Sequence, residues 1–186
     1  MTALNDNTAL IIIDVQDGLD DPSWGTRNNP GAEQNMARLL AAWRAAGRPI
    51  FHVQHMSTRP TSPLRPGQPG NAIKRIVTPQ AGEPVIQKTV NSAFIGTDLA
   101  DRLRAADIRS VVIVGLTTEH CVSTSARMAA NLGFTTVVVE DATACFDHHG
   151  YDGSYYPAET VHAVSLVSLQ DEFATIAKTD QLLDQG

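Results

Sequence analysis

Apolar positions along the chain fall into two patterns. Four runs, TALIII at 8–13, PIFHVQ at 49–54, SVVIVG at 110–115 and TTVVVE at 135–140, are dominated by apolar and β-branched residues without regular alternation. A strand covered on both faces reads this way, whereas a half-exposed strand alternates, so these runs predict a parallel sheet. PVIQK at 84–88 and FATIA at 173–177 are two further, shorter strand candidates.

Between the runs the apolar spacing becomes helical and the ends carry boundary residues. NNPGAEQNMARLLAAWRAAG, residues 28–47, has Pro30 near its start, Gly47 at its end, and Leu39, Leu40 and Trp43 on one stripe. GTDLADRLRAA, residues 96–106, has Thr97 as the expected N-cap and Leu99, Leu103 and Ala106 at helical spacing. A third helix is expected from Glu119 to Leu132, closed by Gly133, and a fourth in PAETVHAVSLVSL, residues 157–169, opening on Pro157. The β-α-β-α alternation predicts one doubly wound α/β domain over residues 1–186.

Two long connections interrupt the alternation. Residues 56–83 hold five of the ten prolines, and 144–156 carries CFDHHGYDGSYY. Connections this long in a compact domain tend to be covers or binding loops, and the strand-helix pattern resumes after each, so neither reads as a domain linker.

Composition narrows the partners. The formal net charge is −6 and there is no Lys/Arg-rich run, which argues against nucleic acid or an anionic membrane surface as partner. The start, MTALNDNTAL, lacks the basic and apolar segments of a secretion signal, no stretch is long and apolar enough to span a bilayer, and a cytoplasmic protein is expected. The two cysteines, Cys121 and Cys145, are then expected as free thiols.

In parallel α/β sheets, ligands sit beyond the carboxyl ends of the strands. Three polar residues have that position: Asp14 after ALIII, Lys88 after PVIQ, and Cys121 shortly after VVIVG. Taken singly, each has an ordinary reading as a turn former, a solvated lysine or a packed thiol. Together they form a set for nucleophilic catalysis without histidine. A helix N-terminus and the Lys88 cation would lower the thiol pKa towards thiolate, and Asp14 would take the thiol proton and return it to a departing amine. Peptide N–H groups at the turn before the helix would receive the oxyanion formed when a carbonyl is attacked.

IIIDVQDG, QKTVNSAFIGTDL and VIVGLTTEHCVSTSARMAANLGF resemble, in this order, three motifs of the isochorismatase-like cysteine hydrolases. With VVVEDATA and the helix carrying His162, the resemblance spans nearly the whole chain. It implies a three-layer αβα, Rossmann-like fold with a central, mostly parallel six-stranded sheet, and Asp14, Lys88 and Cys121 as a catalytic triad. It also implies a cis peptide at Leu116–Thr117, an oxyanion hole from the backbone N–H groups of Thr117 and Cys121, and a homo-oligomer, dimeric or tetrameric. The implied reaction is hydrolysis of a non-peptide C–N bond, carboxamide, carbamoyl or ureide, in a small molecule through a thioester, with no cofactor.

Departures from the family's branches narrow this further. Nicotinamidases carry a metal-binding Asp-x-His after the second strand, where this chain has HVQHMS; His52 and His55 at that spacing face opposite sides of a strand, and no metal is expected. Vinyl ether hydrolases of the isochorismatase type lack the cysteine that is present here. HCVSTSAR also matches the Cys-x5-Arg phosphatase pattern, but the five intervening residues contain no glycine and Arg127 falls in the expected helix. A non-catalytic binding protein is the remaining alternative. Gln16, Trp24, Phe94, Glu119, His120 and Tyr155 are candidate pocket walls, and His148 and His149 are expected to be solvated.

Overall fold

A computed structural model describes residues 6–184; the first five and last two residues of the expected domain lie outside the described residues. Six strands form one sheet: β1 (Thr8–Ile13), β2 (Ile50–His55), β3 (Val85–Lys88), β4 (Ser110–Leu116), β5 (Thr135–Ala144) and, late in the chain, β8 (Thr175–Ala177). Their spatial order is β3-β2-β1-β4-β5-β8 and every neighbouring pair is parallel. The helices are α1 (Ala32–Ala45), α2 (Leu99–Ala105), α3 (Ser123–Asn131), α4 (Ala158–Val167) and the short α5 (Thr179–Leu183). The fold is a three-layer αβα sandwich, as the alternating pattern and the resemblance both imply.

The unbroken apolarity of the central strands follows from this layering. In β1, Leu10 and Ile12 pack with Met36, Leu39, Leu40 and Trp43 of α1 and Leu182 of α5. Ala9, Ile11 and Ile13 pack on the other face with Leu99 and Leu103 of α2, Ala126 and Ala129 of α3, and Leu166 of α4. All six β1 residues are buried, each large aliphatic one contributing roughly 1.5–3 kcal/mol relative to exposure. Trp43 is buried with its indole N–H satisfied by Thr8 O at 2.9 Å.

Several boundaries differ from expectation for local reasons. Thr97 does not cap α2; its hydroxyl donates backwards to Ala93 O at 2.6 Å, and the helix starts at Leu99. The third helix begins as one π-helical turn, Thr118–Val122, and becomes α-helical only from Ser123. β5 runs on through DATA, because its partner β4 shifts register between Ile113 and Gly115 and then pairs with Thr143 and Ala144. The connection at 144–156 contains a small antiparallel hairpin, β6 (His148–His149) with β7 (Tyr155–Tyr156).

The proline-rich connection 56–83 lies across the carboxyl end of the sheet. Its Asn71 side chain donates to His55 O at 2.9 Å and Leu64 O at 2.6 Å, while the Asn71 carbonyl accepts from Gln16 and Gln54. Gln16 completes the tie, donating to His55 O and accepting from His55 N. Among the described residues, no helix is long and apolar enough to cross a membrane.

Candidate active site

Parallel pairing aligns three strand ends beneath the proline-rich connection. Ile13 pairs with Val53 on one side and Gly115 on the other, and His55 pairs with Lys88. Asp14, one residue past β1, has φ 52 and donates its N–H to Val53 O at 2.9 Å, which turns its side chain off the strand course. β4 must approach β1 closely here. Gly115 has φ 128, and a Cβ on it would stand 2.1 Å from Ile13 O, so only glycine fits. The next peptide, Leu116–Thr117, is cis. The chain then enters the π-turn that carries Cys121.

These turns bring Asp14, Lys88 and Cys121 into one cluster. Lys88 Nζ lies 2.6 Å from Asp14 Oδ2, 3.3 Å from Cys121 Sγ, 3.1 Å from Val90 O and 3.1 Å from His55 Nδ1. The lysine side chain is wholly buried and that of Asp14 is 2% exposed, whereas Cys121 is half-buried. The second carboxylate oxygen, Asp14 Oδ1, has no hydrogen-bond partner among the described residues. Atoms of Asp14, His55 and Cys121 lie within 4.8 Å of one another, a spacing that could hold a metal ion. The Lys88 ammonium, however, already bonds all three residues, and a cation placed there would meet its charge.

The electrostatics overturn one expectation. Burial raises the pKa of the Cys121 thiol, and the Asp14 carboxylate adds to that effect; Lys88 opposes both and does not prevail. These influences favour the neutral thiol over a preformed thiolate. Burial also raises Asp14, against the lowering effect of Lys88. A carboxylate with raised proton affinity beside a neutral thiol suits proton transfer during attack. His55 is pushed down to about 4, chiefly by burial and then by the Lys88 charge.

Behind Cys121, Thr118 Oγ1 contacts His162 Nδ1 of α4 at 2.9 Å, and His162 Nε2 lies 3.4 Å from Asn29 Nδ2. The Asn29 amide donates to Glu140 O and Thr143 O, both at 2.8 Å, tying the π-turn to α4 and β5 through part-buried groups.

A cavity of about 510 Å³ opens above the cluster. Its floor is Asp14, His55, Leu116, Thr117 and Cys121; its walls include Trp24, Ser57, Thr58, Arg59, Ser62, Thr89, Asn91, Glu119, His120, Phe146 and His148.

The chain matches the isochorismatase domain over residues 8–181. It belongs to the isochorismatase family. It is 50% identical over 181 residues to the isochorismatase family protein YrdC of Bacillus subtilis, covering 97% of both chains. It is 32% identical over 158 residues to the maleamate amidohydrolase of Pseudomonas putida, covering 76% of this chain and 73% of that one. An isochorismatase-family structure from Chromobacterium violaceum superposes with a TM-score of 0.94 at 45% identity, over 97% of this chain and 94% of that chain.

Within this family frame, the expected pocket residues divide evenly. Trp24, Glu119 and His120 line the cavity, and Glu119 Oε1 receives both His120 Nδ1 at 3.2 Å and His148 Nε2 at 3.1 Å. Gln16, Phe94 and Tyr155 do not. Gln16 is buried in the backbone tie described above, and Phe94 stacks on Phe134 in the core. Tyr155 points outward, 54% exposed, with its hydroxyl on Asp147.

Other singled-out residues also separate. His148 was expected in solvent but forms part of the wall, while His149 is exposed and packs on Tyr155. His52 faces away from the cavity, buried against Glu83 at 2.9 Å. Arg127 binds Ser168 and lies over Phe173, so it does not complete a phosphate loop around Cys121. Cys145 is buried with its thiol on Ala158 O, and burial pushes it up to about 12.

Sequence reasoning missed Ser57, Thr58, Arg59, Ser62, Thr89 and Asn91. Most come from the proline-rich connection, whose length was the only signal. Arg59 stands out among them, because no carboxylate pairs with its guanidinium among the described residues, whereas Lys88 is committed to Asp14.

Proposed function

We propose that this isochorismatase-family hydrolase cleaves a non-peptide C–N bond of a small molecule, with Asp14, Lys88 and Cys121 as its catalytic triad. The observation that carries this reading is the convergence of Asp14 and Cys121 on the Lys88 ammonium at the floor of a cavity. The maleamate amidohydrolase among its relatives supports the same bond class.

Cys121 Sγ attacks the amide carbonyl as its proton passes to Asp14, and the C–S bond forms as the C=O π bond opens to an oxyanion. The backbone N–H groups of Thr117 and Cys121 receive that oxyanion; a single donor of this kind is worth about 10²–10³ in kcat. Asp14 then returns the proton to the leaving nitrogen as the C–N bond breaks, releasing ammonia or an amine and leaving a thioester. Water, deprotonated by Asp14, attacks the thioester; collapse expels the thiolate, which recovers its proton from Asp14. The Lys88 ammonium balances whichever of carboxylate or sulfur bears the charge.

The unpaired Arg59 guanidinium and the wall hydroxyls suit a substrate whose far end bears a carboxylate, as in a maleamate-like acid. Ammonia release should be screened over carboxylate-bearing amides, neutral aromatic amides, ureides and carbamoyl compounds, with isochorismate as the vinyl ether arm. Turnover of one C–N class, abolished in Cys121→Ala while the circular dichroism spectrum is retained, is the expected result. Near-full activity in Cys121→Ala, or turnover of isochorismate alone, would overturn the mechanism.

A further inference from the structure

We propose that His55 is a positioning residue that holds one N–H of the Lys88 ammonium while Cys121 is a thiol, and yields it to the sulfur as negative charge develops there. The inference rests on the reading of Cys121 as nucleophile, and it concerns a residue outside the triad.

An ammonium has three N–H donors and no acceptor. Lys88 Nζ nonetheless has four acceptors within reach: Asp14 Oδ2 at 2.6 Å, Val90 O at 3.1 Å, His55 Nδ1 at 3.1 Å and Cys121 Sγ at 3.3 Å. One donor is therefore shared. A thiol sulfur is a weak acceptor and a thiolate a strong one, so the shared N–H favours His55 in the resting enzyme and the sulfur during attack.

The fold builds this arrangement. His55 ends β2, Lys88 ends β3, and the two are paired in register, which places their side chains next to each other on one sheet face. Because an ammonium only donates, His55 Nδ1 must present its lone pair, which requires the neutral ring. Burial first, then the charges of Lys88 and Arg59, push the ring down to about 4, against a smaller upward pull from the Val90 carbonyl, so it stays neutral near pH 7.

Alkylation of Cys121 by iodoacetamide against pH tests the proposal without any turnover. The charged groups around the sulfur are Asp14 just past β1, Lys88 from β3, and Glu119 and His120 on its own turn, with Arg59 on the covering loop beside His55 and His120. In His55→Leu the shared N–H rests on the sulfur permanently, and the alkylation profile should move to lower pH by about one unit, the scale of a nearby cation's effect. His55→Asn, whose Oδ1 reproduces an acceptor near Nδ1, should restore the wild-type profile. A wild-type profile in His55→Leu, or identical profiles in the Asn and Leu variants, would overturn the proposal.

Should His55→Leu fail to fold, His55→Gln replaces it as the comparison, since its amide reaches the Nε2 position instead. Equal profiles for Asn and Gln would then be the refuting result. If no hydrolysis is found in the substrate screen, the alkylation profiles still decide the role of His55 separately.

Discussion

Replacing Lys88 with Met tests whether the buried ion pair organises the site. The side chains of Lys88 and Asp14 are 0% and 2% exposed and meet at 2.6 Å, so Lys88→Met leaves a buried carboxylate without its cation. Breaking one partner of a buried pair costs about 3–5 kcal/mol. For a chain of 186 residues that corresponds to a fall in Tm of roughly 6–20 °C, at about 2–4 °C per kcal/mol.

The loss should depend on pH in a definite direction. Asp14 is already raised above 3.8 in the folded protein by burial, and without Lys88 its folded pKa rises further. A group with a raised folded pKa stabilises fully below its unfolded value, and that contribution disappears as pH rises through the folded one. Lys88→Met should therefore approach wild-type stability at acid pH and show a growing deficit as pH rises through the folded Asp14 pKa. Urea denaturation at several pH values measures this. The double variant Asp14→Asn/Lys88→Met, which removes the stranded charge, should recover most of the deficit at high pH. A deficit below about 1 kcal/mol, a pH-independent one, or a double variant no more stable than the single would refute the argument.

Two other predictions are independent of the ion pair. Gly115→Ala should lose about 3 kcal/mol or more of unfolding free energy in urea denaturation, because the new Cβ meets Ile13 O at 2.1 Å and φ is 128; a near-neutral change would contradict the close approach of β4 to β1. Arg59→Ala should raise KM about tenfold for a carboxylate-bearing amide and leave a neutral amide unchanged, since a charge-assisted bond is worth about 1.5–3 kcal/mol before discounting for exposure. Equal effects on both substrates would remove Arg59 from carboxylate recognition.

The layers were legible because the physics behind them is local and redundant. A strand buried on both faces has to be apolar throughout, and TALIII in β1 and SVVIVG in β4 declare this without reference to anything distant. Helix boundaries were less legible. Thr97 had the chemistry of a cap, but nothing local indicated that its hydroxyl would instead satisfy Ala93 O. The π-turn before α3 was hidden for a similar reason, since its geometry answers to the sheet beneath it and the hydrogen bond between Thr118 and His162.

At the site, legibility depended on which atoms carry the interaction. Asp14, Lys88 and Cys121 could be named because each is a reactive side chain at a strand end, and a parallel sheet gathers such ends. Val90 could not, because it contributes a carbonyl oxygen, which every residue has. The same limit misled the pocket assignment. Gln16 and Phe94 lie within the motifs, yet backbone demand drew Gln16 into tying the loop and apolar demand drew Phe94 into the core. Charge was legible in sign but not in outcome. Lys88 was expected to ionise Cys121, but a cation cannot be credited to a neighbour until its other partners are counted, and Asp14 at 2.6 Å against Cys121 Sγ at 3.3 Å has the prior claim. In the proposed mechanism the same count turns Lys88 from an activator of the thiol into the fixed positive charge around which a proton moves between sulfur and carboxylate.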